Sequence, residues 1–258
     1  MLLKFKKNRQ RPVFVIGTGR SGTHWLGFSL GGHPEVRATV EVDPMFKLST
    51  KMALNESLEG ELYGSLVKAY KKQLLKSGSK LYVDKTHPNI WIAEKLKETF
   101  PRALFVGIER NPYATVASML KHKSVSAWHR RWKEYPVPNR FLGITEKMAD
   151  RYDDIPLASQ CAIRWVAHHQ RMNQLRSSLA DDLSVISYED FAYDAEETIL
   201  KLQKFLGLHE PIPVPKVKTE SLRKWRANLS DENLSQIEDI VGFPPHAIEG
   251  LPGTSSSL

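Results

Sequence analysis

Two patterns of apolar and polar positions recur along the chain, one typical of strands and one typical of helices. Together they predict alternating strands and helices. The runs PVFVIG (12–17) and ALFVGIE (103–109) are apolar and β-branched, which is typical of strands covered on both faces. Three further strands are predicted at 36–42, 80–84 and 182–188. Because helical patterns separate the strands, we expect an α/β fold. It would be a mainly parallel sheet flanked by helices on both faces, in a single domain over residues 1–258.

The helices are predicted from apolar residues that recur three and four positions apart. In 57–77, leucines and a tyrosine recur every four residues, and Gly78 ends the pattern. Asp194 followed by Glu197 is a capping box that predicts a helix ending at Gly207. The other predicted helices cover 25–30, 89–100, 112–122, 157–179 and 231–241.

Residues 123–156 show neither the strand pattern nor the helix pattern, and they contain several aromatic residues among many charged ones. We expect an irregular insertion that covers the substrate, because loops of this length are usually functional. Trp128, Trp132 and Tyr135 would either stack on a substrate or pack the insertion. His122 and His129 are expected on the loop surface. His168 lies on the apolar stripe of its helix and is expected to be a core residue with satisfied hydrogen bonds.

The amino-acid composition says more about the possible binding partners of the protein than about its fold. Lys and Arg total 37 against 29 Asp and Glu, so the formal net charge of +8 favours anionic partners. The single cysteine, Cys161, excludes an intrachain disulfide and a cysteine metal cluster. No apolar run approaches the ~20 residues of a membrane span, and the apolar start is too short for a secretory signal. We expect a soluble cytoplasmic protein with a solvated basic arm at 1–11 and a disordered tail at 250–258.

The turn GTGRSGTHW (17–25) carries the most chemical information, because a glycine-rich turn at a helix start binds phosphate or sulfate. Gly17-x-Gly19-x-x-Gly22 fits a dinucleotide fold, with Glu41 at the expected distance, but Arg20 would then stand where backbone approaches pyrophosphate. The glycine spacing also fits a P-loop kinase using ATP and Mg²⁺. In that motif, Lys and Ser or Thr should occupy the next two positions, which here are Thr23 and His24.

A third interpretation uses the cation inside the turn. Arg20-Ser21-Gly22-Thr23 resembles the 5′-phosphosulfate loop of sulfotransferases that use 3′-phosphoadenosine 5′-phosphosulfate (PAPS). The resemblance implies a P-loop-like fold and an aromatic contact to adenine two residues later, where Trp25 stands. The loop residues implied to bind the donor are Gly19, Arg20, Ser21, Gly22, Thr23, His24 and Trp25.

Three later segments resemble the same family. FVGIERNPYATVASMLKH resembles its 3′-phosphate motif, in which an Arg ending a strand and a Ser eight residues later clamp phosphate; here these are Arg110 and Ser118. ISYEDF resembles the segment whose tyrosine, here Tyr188, contacts adenine. Lys218, Arg223 and Lys224 resemble its basic C-terminal segment. The usual Arg-Lys-Gly triplet is missing, so which cation contacts the 3′-phosphate stays open.

The acceptor side is predicted at Lys85-Thr86-His87-Pro88, which follows a strand. The segment resembles one in cytosolic sulfotransferases whose histidine is the general base, here His87. Bacterial and carbohydrate members more often use a glutamate after the first loop, and Glu41 fits that place. Both candidates stay open, with Arg20 and Lys85 expected to hold the sulfuryl oxygens.

The resemblance implies a metal-independent, in-line transfer of the sulfuryl group from PAPS. The expected acceptor is a hydroxyl or amine of a small molecule or glycan, with no nucleic-acid partner. Two other functions remain open: a nucleotide or small-molecule kinase with ATP and Mg²⁺, and a non-enzymatic module that binds anions or nucleic acid.

Overall fold

The computed structural model describes residues 11–213 and 222–248, and it is built on one five-stranded parallel sheet. The spatial order is β2-β3-β1-β4-β5. The strands are β1 (Pro12–Gly17), β2 (Val36–Val40), β3 (Leu81–Lys85), β4 (Leu104–Glu109) and β5 (Leu183–Ser187). All five predicted strands are confirmed, and so is the α/β fold class with a parallel sheet.

Helices cover both faces of this sheet. The first six are α1 (Thr23–Gly31), α2 (Met45–Leu54), α3 (Glu59–Ser77), α4 (Ala93–Thr99), α5 (Pro112–Leu120) and α6 (Lys123–Arg130). The rest are α7 (Glu146–Ala149), α8 (Leu157–Leu179), α9 (Tyr188–Tyr193), α10 (Ala195–Leu206) and α11 (Asp231–Val241).

Strand β1 shows why both faces are covered. Phe14 and Ile16 belong to one apolar cluster, whereas Val13 and Val15 belong to another. Successive side chains of a strand point to opposite faces, so each face of the sheet has its own core. A central strand that is buried on both faces has a continuous apolar sequence, and PVFVIG is such a sequence.

The parallel register brings distant segments to one edge of the sheet. Val40 of β2 lies opposite Lys85 of β3, and Gly17 of β1 lies opposite Ile108 of β4. The turns that follow these strands therefore meet at the carboxyl edge, where open α/β sheets bind ligands.

One predicted helix begins differently in the structure, and two observed helices outside 123–156 were not predicted. Residues 89–100 begin as a 3₁₀ turn (His87–Ile92) that leads into α4. Helix α2 was not predicted, and neither was α9, which follows β5 immediately. Half of the capping box is confirmed: the Asp194 side chain accepts a hydrogen bond from the backbone N–H of Glu197. The reciprocal bond is not formed, because the Asp194 N–H donates to the Asp190 carbonyl.

The segment 123–156 is less irregular than expected, because it contains α6, α7 and two 3₁₀ turns. The buried positions of α6 include Ser126 and His129. Because its inward face carries these polar residues, the sequence lacks the apolar periodicity by which a helix is recognised. The expected surface position of His129 is wrong, since this side chain is buried and hydrogen-bonded to the Tyr152 hydroxyl at 2.8 Å.

Of the N-terminal arm, only Arg11 is described, and it is fixed: its guanidinium donates a 2.9 Å hydrogen bond to the Leu206 carbonyl. The rest of the arm and the 250–258 tail lie outside the described residues. Across the parts that are described, we found no helix with the length and hydropathy of a membrane span.

Candidate active site

The glycine-rich turn is built to approach other groups closely. A Cβ at Gly17 would lie 2.5 Å from the Ile108 carbonyl oxygen, and one at Gly22 would overlap the Tyr188 ring. Gly22 and Arg20 both have left-handed backbone, with φ of 98° and 79°. The strain at Arg20 is unusual for a non-glycine residue and is typical of functional turns.

Ser21 holds the turn in shape. Its side chain is fully buried, and its hydroxyl lies within hydrogen-bonding distance of the carbonyl oxygens of Thr18 (2.6 Å) and Ile108 (3.2 Å). Helix α1 starts at Thr23 without a side-chain cap and without an acidic residue in its first turn. The positive end of its dipole is therefore unopposed by a carboxylate within that turn.

Arg20 links the turn to the predicted 3′-phosphate motif. Its Nε–H donates a 3.1 Å hydrogen bond to the Ser118 hydroxyl, and its carbonyl oxygen accepts a 3.4 Å hydrogen bond from Arg110. The Arg110 guanidinium also lies over the Tyr188 ring, 4.2 Å from its centroid. Four of the predicted donor-binding residues thus meet, although the first, Arg20, and the last, Tyr188, are 168 positions apart in the sequence.

These four residues line one open cleft of about 350 Å³. The lining also includes Lys224 from the basic C-terminal segment. Arg223 is exposed and is not part of the lining, and Lys218 lies outside the described residues. Sequence reasoning missed three polar lining residues, Lys121, His122 and Asn228. Lys121 and His122 could have been found from the sequence, because they follow Ser118 at the end of α5.

Trp25 lies beside this cleft. Its indole stacks on Phe191 with centroids 4.0 Å apart and meets the Tyr188 ring edge-on at 5.7 Å. Phe191 comes from α9, which the sequence analysis missed. Trp25, which the sequence predicts to contact adenine, is thus part of a three-ring cluster that borders the cleft.

A second cluster forms around Glu41, at the end of β2. Glu41 has a φ of 49°, a left-handed conformation. Its carboxylate accepts hydrogen bonds from the Lys85 ammonium, from His87 Nδ1 at 2.9 Å and from His24 Nε2 at 3.2 Å. Lys85 also donates to His24 Nδ1 at 2.9 Å. The sequence predicts that His24 binds the donor. Its side chain instead lies among Glu41, Lys85 and His87, the residues predicted for the acceptor side.

Burial and pairing set the charge states of this cluster. Burial alone would raise the pKa of Glu41, but the hydrogen bonds from His24 and His87 and the nearby charges outweigh it and hold that pKa far below its ordinary value. Burial lowers the pKa of His87 to about 4, against the opposing effect of Glu41. Burial likewise lowers the pKa of Lys85. At neutral pH, Glu41 is thus a carboxylate and His87 a neutral imidazole.

The free nitrogen of His87 faces the glycine-rich turn. Since Nδ1–H donates to Glu41, Nε2 carries the lone pair, and this buried atom has no hydrogen-bond partner within the described chain. A Cβ on Gly19 would lie 3.1 Å from it. Gly19 therefore leaves the space in which a reacting group could meet the imidazole.

Nothing in 11–213 or 222–248 brings three His, Cys, Asp or Glu side chains together in an arrangement that could hold a metal ion. The cations around the turn are Arg20, Arg110 and Lys85, of which Lys85 is paired with Glu41, and such cations suit an anionic ligand.

Comparison with known proteins gives a consistent result. A model of the sulfotransferase family matches residues 12–211. The nodulation protein NoeE of Sinorhizobium fredii is 24% identical over an alignment that covers 89% of this chain and 63% of NoeE. The chain thus spans less than two thirds of that relative's length.

Two solved structures have a similar fold. The sulfotransferase domain of the Synechococcus olefin synthase superimposes with a TM-score of 0.57, at 15% identity, over 91% of this chain and 96% of that domain. The sulfotransferase of Alicyclobacillus acidocaldarius gives a TM-score of 0.53, at 16% identity, over 92% of this chain and 98% of its own. Because the family match covers far more than half of the residues, the chain belongs to the sulfotransferase family.

Proposed function

We propose that this protein transfers the sulfuryl group of PAPS to a hydroxyl or amine of a small-molecule or glycan acceptor, without a metal ion. The observation that carries the proposal is the 3.1 Å hydrogen bond between Arg20 and Ser118. It joins two segments that are 98 positions apart and that resemble the 5′-phosphosulfate loop and the 3′-phosphate motif. A ligand with anionic groups at both ends matches this paired arrangement.

The donor would occupy the cleft between the turn and α5. The backbone of residues 19–23 and the start of α1 would hold the 5′-phosphosulfate, and Arg110 with Ser118 would hold the 3′-phosphate. Tyr188 and Trp25 offer aromatic faces for adenine. Between Arg223 and Lys224, the lining of the cleft favours Lys224 as the C-terminal cation.

In the transfer, the acceptor atom forms a bond to sulfur while the bond from sulfur to the 5′-phosphate oxygen breaks. Arg20 and Lys85 would stabilise the charge that develops on the bridging and equatorial oxygens. The acceptor proton would pass to His87 Nε2, the lone-pair nitrogen that faces Gly19.

Glu41 then has a different role from the one considered in the sequence. A carboxylate that accepts hydrogen bonds from His24, Lys85 and His87 is a weak base. It is well placed to fix the tautomer of His87 and to stabilise the imidazolium that forms, as the acid does in a catalytic triad. We therefore assign His87 as the base and Glu41 as its positioning residue.

The proposed single domain includes 123–156 as the part that covers the acceptor. Trp128 and Phe141 from this segment have their ring centroids 5.2 Å apart, and Phe141 lies 6.3 Å from the His87 ring. This packing of the segment beside His87 supports its proposed place next to the acceptor.

A thermal-shift titration tests the proposal directly. The product 3′-phosphoadenosine 5′-phosphate (PAP) should stabilise the protein in the presence of EDTA, by about 2.7 kcal/mol at 100 times its Kd. NAD and ATP with Mg²⁺ are the comparison ligands. A shift with ATP and Mg²⁺ but none with PAP would overturn the proposal in favour of a kinase.

A further inference from the structure

A buried cation without a hydrogen-bond partner lies next to the proposed site. Arg164, in the first third of α8, is completely buried, and none of its three guanidinium nitrogens has a hydrogen-bond partner among the residues described. A guanidinium carries five N–H donors, and buried charges in proteins are normally paired. Arg164 is therefore an exception that needs an explanation.

Among the described residues, no carboxylate pairs with this cation. The ionisable groups that favour its charged form are the Cys161 thiol and the Tyr152 hydroxyl. Burial raises the pKa of both groups, for Cys161 to about 12, so both are neutral at pH 7. Burial lowers the pKa of Arg164 to about 10, which still leaves it charged.

Two aromatic rings hold the guanidinium in place. Its central carbon lies 4.3 Å from the centroid of Phe141 and 4.9 Å from that of Trp128. Cation–π contacts stabilise the charge but accept no hydrogen bonds in the plane of the guanidinium. Its N–H donors are thus oriented but unused.

Those donors lie close to the point where the glycine-rich turn meets His87. A Cβ on Gly19 would lie 3.6 Å from a terminal nitrogen of Arg164 and 3.1 Å from His87 Nε2. Both atoms are buried and without a partner in the described part of the chain. An unused cation, an unused lone pair and a glycine backbone thus converge on one small region.

Other buried nitrogens near Arg164 are also unused. His168 donates from Nδ1 to the Arg164 carbonyl at 2.8 Å, and its Nε2 has no partner in the structure as described. The Nε2 of His129 is likewise unpaired. The Phe141 ring connects the group, since its centroid lies 5.4 Å from that of His168. The expectation that His168 is fully satisfied is therefore wrong for one of its two nitrogens.

We propose that Arg164 binds an oxyanion at this point, as a third anion subsite beside those for the 5′- and 3′-phosphates. The inference rests on the proposed function, because it requires an oxyanion where donor and acceptor meet. Two groups supply the same chemistry: the sulfuryl oxygens of the donor, or a carboxylate on the acceptor close to its attacking hydroxyl. A guanidinium fork fits either group.

Nucleotide binding distinguishes the two sources. Calorimetry compares PAP, which lacks the sulfuryl group, with PAPS, for the wild type, Arg164→Met and Arg164→Lys. If the sulfuryl group is the ligand, Arg164→Met should weaken PAPS 10- to 100-fold and leave PAP within threefold, with partial recovery in Arg164→Lys. Arg171→Met is the matched control, because Arg171 lies on the same helix and pairs with Glu94.

If the acceptor carboxylate is the ligand, both nucleotides bind normally. Arg164→Met should then raise KM at least tenfold for hydroxy acids such as 3-hydroxy-3-phenylpropanoate, and should not change it for 1-phenylethanol. The melting temperature gives an independent readout. Replacing an unpaired buried charge by an apolar side chain should keep or raise the Tm of the ligand-free protein.

Two results would overturn the inference. One is unchanged binding of both nucleotides together with unchanged KM for both acceptors. The other is equal weakening of PAP and PAPS with a lowered Tm, which would make Arg164 a structural residue. Failure of the proposed function is recognised separately, because the wild type would then bind neither nucleotide.

Discussion

The imidazole of His87 donates a 2.9 Å hydrogen bond from Nδ1 to the carboxylate of Glu41. The two residues that the sequence offered as alternative bases are therefore partners in one cluster. Their partnership directs Nε2 of His87 towards Gly19 and leaves Glu41 with three donors. It also makes unequal effects of the two substitutions a test of their roles.

Substitution of His87 by Ala should lower kcat by about 10²- to 10⁴-fold at saturating PAPS, because the proton acceptor is lost. Glu41→Gln should lower kcat less, since the base remains and only its orientation and charge stabilisation suffer. The measurement is steady-state kcat with an identified acceptor, and PAP binding by calorimetry is the control. An inactive Glu41→Gln together with near-normal turnover in His87→Ala would reverse the assignment.

Arg110→Ala should weaken PAP by roughly 10- to 100-fold while leaving AMP almost unchanged. The reason is that a charge-assisted hydrogen bond to the 3′-phosphate, which only PAP carries, contributes about 1.5–3 kcal/mol. Titration of both nucleotides by calorimetry measures the difference. Arg130→Ala, at an exposed position on α6, is the control for loss of one positive charge. Equal weakening of PAP and AMP would show that Arg110 does not contact the 3′-phosphate.

The two described cations of the C-terminal segment should differ. Both side chains are exposed, but Lys224 lines the cleft and Arg223 does not. Lys224→Ala is expected to weaken PAP about three- to tenfold, and this loss should shrink as salt is raised, because the contact is largely coulombic. Arg223→Ala is expected to change PAP affinity less than twofold. The opposite order in a salt series of PAP titrations would contradict the geometry.

Stability should fall on mild acidification. Burial lowers the pKa of His87 to about 4 and that of His129 to about 3, so in the folded chain both bind fewer protons than in the unfolded chain. The stability from each neutral imidazole is fully present above pH 6.5 and is lost as the pH falls towards the folded pKa. Each should lose about 2 kcal/mol between pH 7.5 and pH 5.

Asp84 acts in the opposite direction over part of this range. Burial raises its pKa to about 6, so the folded chain takes up a proton that the unfolded chain does not, which offsets about 1 kcal/mol of the loss at pH 5. Urea unfolding at the two pH values measures the net change. His129→Gln should reduce the difference, and an unchanged difference would mean that His129 is not buried in its neutral form.

Much of the fold could be predicted from local patterns. The strands β1 and β4 were predicted because central parallel strands must be apolar on both faces. Such a strand is a continuous apolar run, which can be recognised from its own six residues. Helix α2 was missed because MFKLSTKMAL mixes two hydroxyl-bearing and two basic residues with its apolar ones. Helix α6 was missed because Ser126 and His129 occupy its buried face.

The sequence by itself determined the order of the five strands and several of the helices, the glycine-rich turn and the motif containing Arg110 and Ser118. Each of these depends on residue type and spacing within about 20 positions. Only the tertiary structure decided which side chains meet. The strand order puts β2 beside β3, and this pairing brings Glu41 to Lys85 and His87. The burial of Arg164 without a partner is also invisible in the sequence, because it depends on elements that pack together from distant parts of the chain.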